Sequence, residues 1–407
     1  MNVLGIDIGT NFIKGSLVRI SEDGRFTLDY KLKVPSRGVT NGSISDIDSC
    51  AEAVKKCIDD IFEIDDSLAI DHVTVSYSGR SINCRTVSGT EDMWANSGSE
   101  LPGRITNENI EKIISSIRMN ESEPGKILHT FKQEFIIDDE TRTYNPINMT
   151  GRRIKANVLL IADHGSNLHN VEQVMKKAGI EDFVPVYGPI STSEAILSEE
   201  NKKGSIVIEL GAGKIELVIY HDGCLRFAAT LPLGSNYLNK DLMYVLQTDP
   251  DATEIAKVKY GSAIEYEGDE NDTVTIKKSM GRGSEDFSLR QFCEITSARL
   301  VEIFELAIEM IYVAKYNTKI ISPIILAGES TKLKNTNVLL RTMLNGHENE
   351  RGNVKNIEKN ESIPDSYFAS IGSVMYAFRN KLIEFPKEKP RKKGIMGKFK
   401  NFIKDLL

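Results

Sequence analysis

The sequence predicts a mixed α/β chain made of two similar halves. Three observations carry that expectation. Gly5–Val18, GIDIGTNFIKGSLV, reads as an apolar strand, a tight turn holding an acid and glycines, and a second apolar strand. The pattern returns about 200 residues later as Ile206–Gly223, IVIELGAGKIELVIYHDG. The first copy also continues as strand, helix and strand, so the N-terminal part reads βββαβ.

The elements follow in order. A third strand is expected near Phe26–Val34. Ile47, Val54, Ile58 and Ile61 recur near helical spacing and predict a helix from about Asp46 to Phe62. His72–Ser78, HVTVSYS, alternates as a strand. Residues 80–160 read as an inserted unit. In it, a turn-rich piece (Gly89, Gly98, Pro102, Gly103) leads to a helix carrying Ile110, Ile113, Ile114 and Ile117. Strands are then expected near Leu128–Asp138 and Lys155–Ala162. The helix Asn167–Ala178, the strand Phe183–Tyr187 and a loop over Gly188–Ala195 come next. A charged block over 244–304 interrupts the second half. It should hold a short helix, weak strands such as Thr273–Lys277 and a long helix from Leu289 to about Ala314. Ile320–Ala327 reads as a buried strand ending at Gly328, and Asp365–Lys381 as a helix. Glu384–Gly394 is a charged, proline-bearing linker.

Composition narrows the class. The chain has 407 residues, 40% hydrophobic and 27% charged, ordinary for globular domains. No apolar run is long enough to span a bilayer, and no signal peptide is expected. Five scattered cysteines without a CxxC pair suggest reduced thiols and a cytosolic setting. The six histidines lack metal-ligand spacing, so a metal site built by protein ligands alone is not expected. Net charge is −7, unevenly spread: from Lys387 to Leu407 eight Lys/Arg face Glu388 and Asp405, leaving −13 on the rest. An acidic body argues against nucleic acid.

The chemistry points to a phosphate site. A glycine turn lets backbone N–H groups approach an anion with no Cβ in the way. An acid at the strand end suits a hydrated Mg2+. Two such hairpins suggest two half-domains clamping one Mg-nucleotide. Lys14 follows the first turn and either meets phosphate as a point charge or is a plain solvated lysine.

These residues have a family resemblance. The hairpins, the Gly188–Ala195 segment, IILAGES at 324–330 and SYFASIGSVMYAF at 366–378 come in the order of the actin/Hsp70/hexokinase fold, a duplicated, two-lobed, ribonuclease H-like architecture. More narrowly, HTFKQEFIIDDETRTYNPINMTGRRIKANVLLI, residues 129–161, resembles the inserted subdomain of the bacterial FtsA cell-division family. The resemblance covers residues 1 to about 383. It implies subdomain 1A from 1–79, 161–190 and 362–384, and an inserted 1C at 80–160. It further implies 2A from 191–243 and 305–361, 2B at 244–304, a linker at 385–394 and an amphipathic helix at 395–407.

The resemblance also implies roles. Asp7, Gly9, Thr10, Asn11 and Lys14 match the first phosphate loop. Gly211, Ala212, Gly213 and Lys214 match the second, after Glu209. The family usually has Asp at 209 and Thr or Ser at 214, so ATP binding is expected to survive and hydrolysis to be slow or absent. Asp7 and Glu209 would hold Mg2+ through water, and Lys214 either meets phosphate or points outward. Ser191-x-x-Glu194 reads first as a capping box opening the helix SEAILSEEN, although Glu194 also stands where the fold often orients water. Glu254 and Lys257 match a ribose contact or form a surface ion pair. Gly328 marks the adenosine turn, with Glu329 where relatives carry a second glycine. Gly372 allows close helix packing. Arg299 is the candidate cation for an acidic peptide, or a solvated helix arginine. The implied protein binds ATP, polymerises with itself, and ties the C-terminal peptide of FtsZ to an anionic membrane surface at the septum. A PilM-like pilus scaffold is the runner-up. A sugar kinase is a third class, but no catalytic aspartate base or substrate domain can be placed.

Residues 395–407, IMGKFKNFIKDLL, form an amphipathic pattern. At ~100° per residue, Ile395, Met396, Phe399, Phe402, Ile403, Leu406 and Leu407 share an arc of about 140°. Lys398 and Lys400 flank it and would snorkel to lipid phosphates. A helix of ~20 Å is too short to span a bilayer, so it would lie in the interface. Arg391, Lys392 and Lys393 extend the basic patch. The competing reading is a helix docked on its own domain.

Overall fold

Two sheets of the same topology organise the molecule, whose computed structural model describes residues 1–93, 101–120, 125–316, 322–358 and 362–386. The basic tail with its seven apolar positions, most of the linker, and Gly98 lie outside the described residues. In the first sheet Asn2–Ile8 pairs antiparallel with Phe12–Ile20, which pairs antiparallel with Phe26–Pro35. On its other side Asn2–Ile8 runs parallel to His72–Tyr77, which runs parallel to Val184–Tyr187. The second sheet repeats this arrangement. Gly204–Leu210 pairs antiparallel with Ile215–His221, and that strand with Cys224–Leu231. Parallel Ile324–Ala327 and Asn349–Arg351 complete it. The first sheet gains a sixth, two-residue strand, Ile357–Glu358, on its edge.

Helices cover the sheets because their apolar faces demand it. Ile47–Ile64 starts where the sequence indicates, with Asp46 accepting from the Ser49 N–H. It buries Cys50, Val54, Cys57, Ile58 and Ile61 against the first lobe. Leu289–Val313 spans 25 residues and buries Leu300, Ile303, Phe304, Ala307 and Ile311 under the second sheet. Among the described residues no helix is long and apolar enough to cross a membrane.

The insert is a four-stranded sheet of Thr141–Thr143, Lys126–Ile137, Arg153–Asp163 and Ile82–Asp92, covered by the helix Asn107–Met119. Here the expected turn at Gly89 is corrected. Gly89 sits inside the strand Ile82–Asp92, and a Cβ there would meet Ile117 Cγ1 at 2.6 Å. The glycine serves close helix–sheet approach rather than a turn. The insert also touches the second lobe: Gln133 donates to the Leu225 carbonyl at 3.1 Å, and Tyr144 to Asp222 at 2.9 Å.

The expected loop at Gly188–Ala195 is a helix, Gly188–Ile196, buried at every residue. Uniform burial leaves no amphipathic period to read. The capping box at Ser191 is also corrected. Tyr187 is the cap residue, Pro189 lies in the first turn, and the Ser191 hydroxyl donates back to the Tyr187 carbonyl. A capping box does open the next helix, Glu199–Lys203, from Ser198 and Asn201. Near the C-terminus a 3-10 turn, Asp365–Tyr367, precedes the helix Phe368–Arg379. Ile324 is the first residue of the expected Ile320–Ala327 strand in β structure; 320 and 321 lie outside the described residues.

The helices Gly188–Ile196 and Phe368–Arg379 cross at the junction of the lobes. Gly372 makes the contact possible, since a Cβ there would fall on the Ser191 carbonyl. His129 of the insert packs beside them. Its Nε2 accepts from the Tyr187 N–H at 3.1 Å and its Nδ1 meets the Tyr376 hydroxyl at 3.0 Å. Burial pushes its pKa down to about 4, so it stays neutral as those bonds require. Replacing Gly372→Val should cost about 3 kcal/mol or more by forcing these helices apart. Urea unfolding measures this; an unchanged midpoint would show that the crossing tolerates separation.

Candidate functional site

The two glycine turns come from equivalent corners of the two sheets and face each other. Strand register sets what each presents. In the first hairpin Asp7 lies opposite Lys14, and their side chains pair at 2.5 Å. In the second hairpin Glu209 lies opposite Glu216. Like charges directly across a ladder repel. Lys214 relieves this: its Nζ lies 2.8 Å from Glu216 Oε2 and donates to Ser78 Oγ at 2.6 Å. Ser78 in turn donates to Glu216 Oε1 at 2.5 Å, and Thr230 to the same oxygen at 2.9 Å. Lys214 therefore points inward.

The electrostatics follow from this crowding. Burial, then the Glu216 charge, raises the Glu209 carboxyl to about 7. Burial alone would lower the Lys214 pKa, but Glu216, Asp7 and Glu209 outweigh it and raise it. One Glu209 oxygen, Oε2, is buried with no hydrogen-bond partner.

A cavity of about 430 Å³ lies between the turns, a size suited to a small ligand. Asp7, Gly9, Thr10, Asn11 and Lys14 line it from one side. Glu209, Gly211, Ala212, Gly213 and Lys214 line it from the other. Glu254, Lys257, Gly328 and Glu329 complete the far end. Glu254 is both a cleft residue and an ion-pair partner: its Oε2 accepts from Lys257 and Asn239, each at 2.7 Å. Gly328 has φ +88°, in the left-handed region, and a Cβ there would meet Leu210 backbone. Glu329 lies 2.9 Å from Lys332.

Two of the sequence candidates lie elsewhere. Glu194 does not line the cleft; it pairs with Arg379 and, at 3.2 Å, with Lys202. Arg299 also lies outside it. Asp241 grips its guanidinium with both oxygens, at 2.6 and 3.1 Å, and Glu302 adds a further pair. Arg299 is thus a partly exposed side chain already held by two carboxylates.

Sequence reasoning passed over several cleft residues. Glu216 is the chief one, although its spacing from Glu209 equals that of Lys14 from Asp7. Lys33 stands opposite Lys14 in the ladder with its Nζ over the Phe12 ring at 4.0 Å. Ser235 and Leu238 belong to the start of an unforeseen helix, Asn236–Leu246. The Asn236 N–H bonds the Ala212 carbonyl at 2.8 Å, which seats the positive helix end beside the second turn. Lys332 and Ser366 line the far end.

The turns already touch. Asn11 and Asn236 exchange amide hydrogen bonds at 3.1 and 2.9 Å, and a Cβ on Gly213 would strike Thr10. Contact of this kind makes the cleft a clamp.

The sequence matches two family models: "Cell division protein FtsA" over residues 206–372 and "SHS2 domain inserted in FTSA" over residues 79–162. The chain belongs to the FtsA family. The FtsA of Neisseria meningitidis serogroup B is 28% identical over 305 residues, 74% of this chain and 71% of that protein. The FtsA of Escherichia coli K12 is 26% identical over 313 residues, 76% and 72% of the two chains. Among solved structures, the PilM-PilN type IV pilus biogenesis complex matches with a TM-score of 0.58 and 16% identity, covering 92% of this chain and 98% of that one. MreB5 of Spiroplasma citri bound to ADP matches with 0.53 and 11%, covering 94% and 97%. These likenesses show an actin-like fold, and the FtsA insert occupies the stretch where the four-stranded sheet stands.

Converting both Asn11→Asp and Asn236→Asp should open the clamp. Two hydrogen bonds become a repulsion, a shift of about 2–3 kcal/mol. Amide hydrogen exchange at 9–12 and 211–213 should then rise. Unaltered exchange would mean that the amide pair does not hold the turns together.

Proposed function

We propose that this chain binds ATP between its lobes, polymerises, and ties the division ring to the cytoplasmic membrane. The observation that carries the reading is the pair of facing glycine turns in a chain of the FtsA family. The triphosphate would lie along Gly9–Asn11 and Gly211–Gly213, with Lys14 and Lys214 as its cations. Glu254 and Lys257 would meet the ribose, and the base would lie against Gly328 and Glu329. Mg2+ would arrive with the nucleotide, its waters held by Asp7 and Glu209. The unpartnered Glu209 oxygen suits a hydrated cation. Hydrolysis should be slow, because Glu194 is engaged by Arg379 and Lys202 instead of facing the cleft.

ATP between the halves would favour a closed, polymer-competent state. The block 244–304 would receive the C-terminal peptide of FtsZ. Since Asp241 already holds Arg299, an acidic peptide would have to compete for it. The segment 395–407 would lie in the membrane interface. One such helix binds modestly, while a filament displaying many copies binds tightly through effective concentration. The protein would then sit peripherally on the cytoplasmic face of the membrane at the septum.

The likeness to the PilM-PilN complex favours a second reading, a pilus-assembly scaffold that has no need of its own lipid anchor. Deleting residues 395–407 separates the two. Loss of co-sedimentation with anionic liposomes, and weakening of native binding by high salt, is the expected result. Full binding by the truncated chain would favour the scaffold.

A further inference from the structure

The second turn differs from the first in how it carries positive charge. Lys14 stands across its ladder from Asp7. The matching position in the second hairpin holds Glu216, and the cation comes instead from Lys214, two residues earlier. Lys214 is a tightly held side chain, only 12% exposed. Glu216 belongs to its own lobe, whereas Ser78 directly follows the strand His72–Tyr77 of the other. Gly42, also of the first lobe, packs on its stem: a Cβ there would lie 3.0 Å from Lys214 Cδ. Gly42 is itself fixed by its N–H bond to Thr10 Oγ1 at 2.9 Å.

An ammonium has three N–H donors. Ser78 and Glu216 take two from Lys214, and the third is left in a cleft it lines with Asp7 and Glu209. Because both lobes hold the side chain, little further freedom is lost when it meets an anion. A free lysine would lose that entropy on binding.

We infer that Lys214 is a built-in cation for the phosphate end of the cleft, so that a nucleoside triphosphate stays bound when divalent metal is removed. The inference rests on the nucleotide reading above. Lys214 takes up negative charge that would otherwise fall to Lys14 and a metal ion. Bound metal adds to this effect without being a condition for binding.

Two titrations of the native protein with ATP, one in excess Mg2+ and one in excess EDTA, decide the matter by calorimetry. The two dissociation constants should agree within several-fold. In the Lys214→Thr variant, removal of metal should weaken binding by at least about tenfold, the worth of one charge-assisted hydrogen bond. Excess Mg2+ should recover most of that loss. A native protein that binds in Mg2+ but loses ATP in EDTA would overturn this inference while leaving the nucleotide reading intact. No binding in either buffer would overturn both. A variant weakened equally in both buffers would assign Lys214 a merely structural role. If the variant does not fold, the two native titrations suffice.

Discussion

Cross-strand register at two glycine-cornered hairpins is the constraint on which the rest depends. Each hairpin joins a central parallel strand to its antiparallel neighbour, so each turn is delivered to the same edge of its sheet. The first balances acid with base across the ladder. The second sets acid against acid and recruits Lys214, Ser78 and Thr230 to make that arrangement stable. A one-residue slip of the second strand of either hairpin would send Lys14 or Glu216 to the opposite face. Cleft, charge balance and lobe contact therefore share one origin.

The lobes are held in relation by more than the clamp. Two buried helices cross between them at Gly372, and the insert reaches both sides of that crossing. Its strand Lys126–Ile137 contacts Tyr187 and Tyr376 through His129, and the second lobe's edge strand through Gln133. An insert rooted in the first lobe thus rests on the second. Any change in lobe angle must be accommodated at that seam.

Much of this was legible in the sequence, and the exceptions have physical causes. The twin hairpins showed themselves because the apolar strands and the turns between them are local features. The helix Ile47–Ile64 announced its start through Asp46 and its face through spaced isoleucines. The helix Gly188–Ile196 did not, since burial on all sides erases periodicity. Gly89 misled because a glycine that permits close packing looks, in one dimension, like a turn. Glu216 was passed over because its role depends on register, and register appears only when the two ladders are laid side by side. Neither Arg299, read as a peptide cation or a solvated arginine, nor Glu194, read as a water-orienting or capping residue, was expected to be held in an ion pair. Their partners Asp241 and Arg379 lie far from them in sequence and become neighbours only through the fold.

The central claim is that both turns grip one triphosphate. A crystal structure of the protein grown with a non-hydrolysable ATP analogue tests it most directly. The account predicts phosphate density bridging 9–11 and 211–213, with the ribose near Glu254 and Lys257. An empty cleft, or an analogue bound against one turn alone, would contradict it.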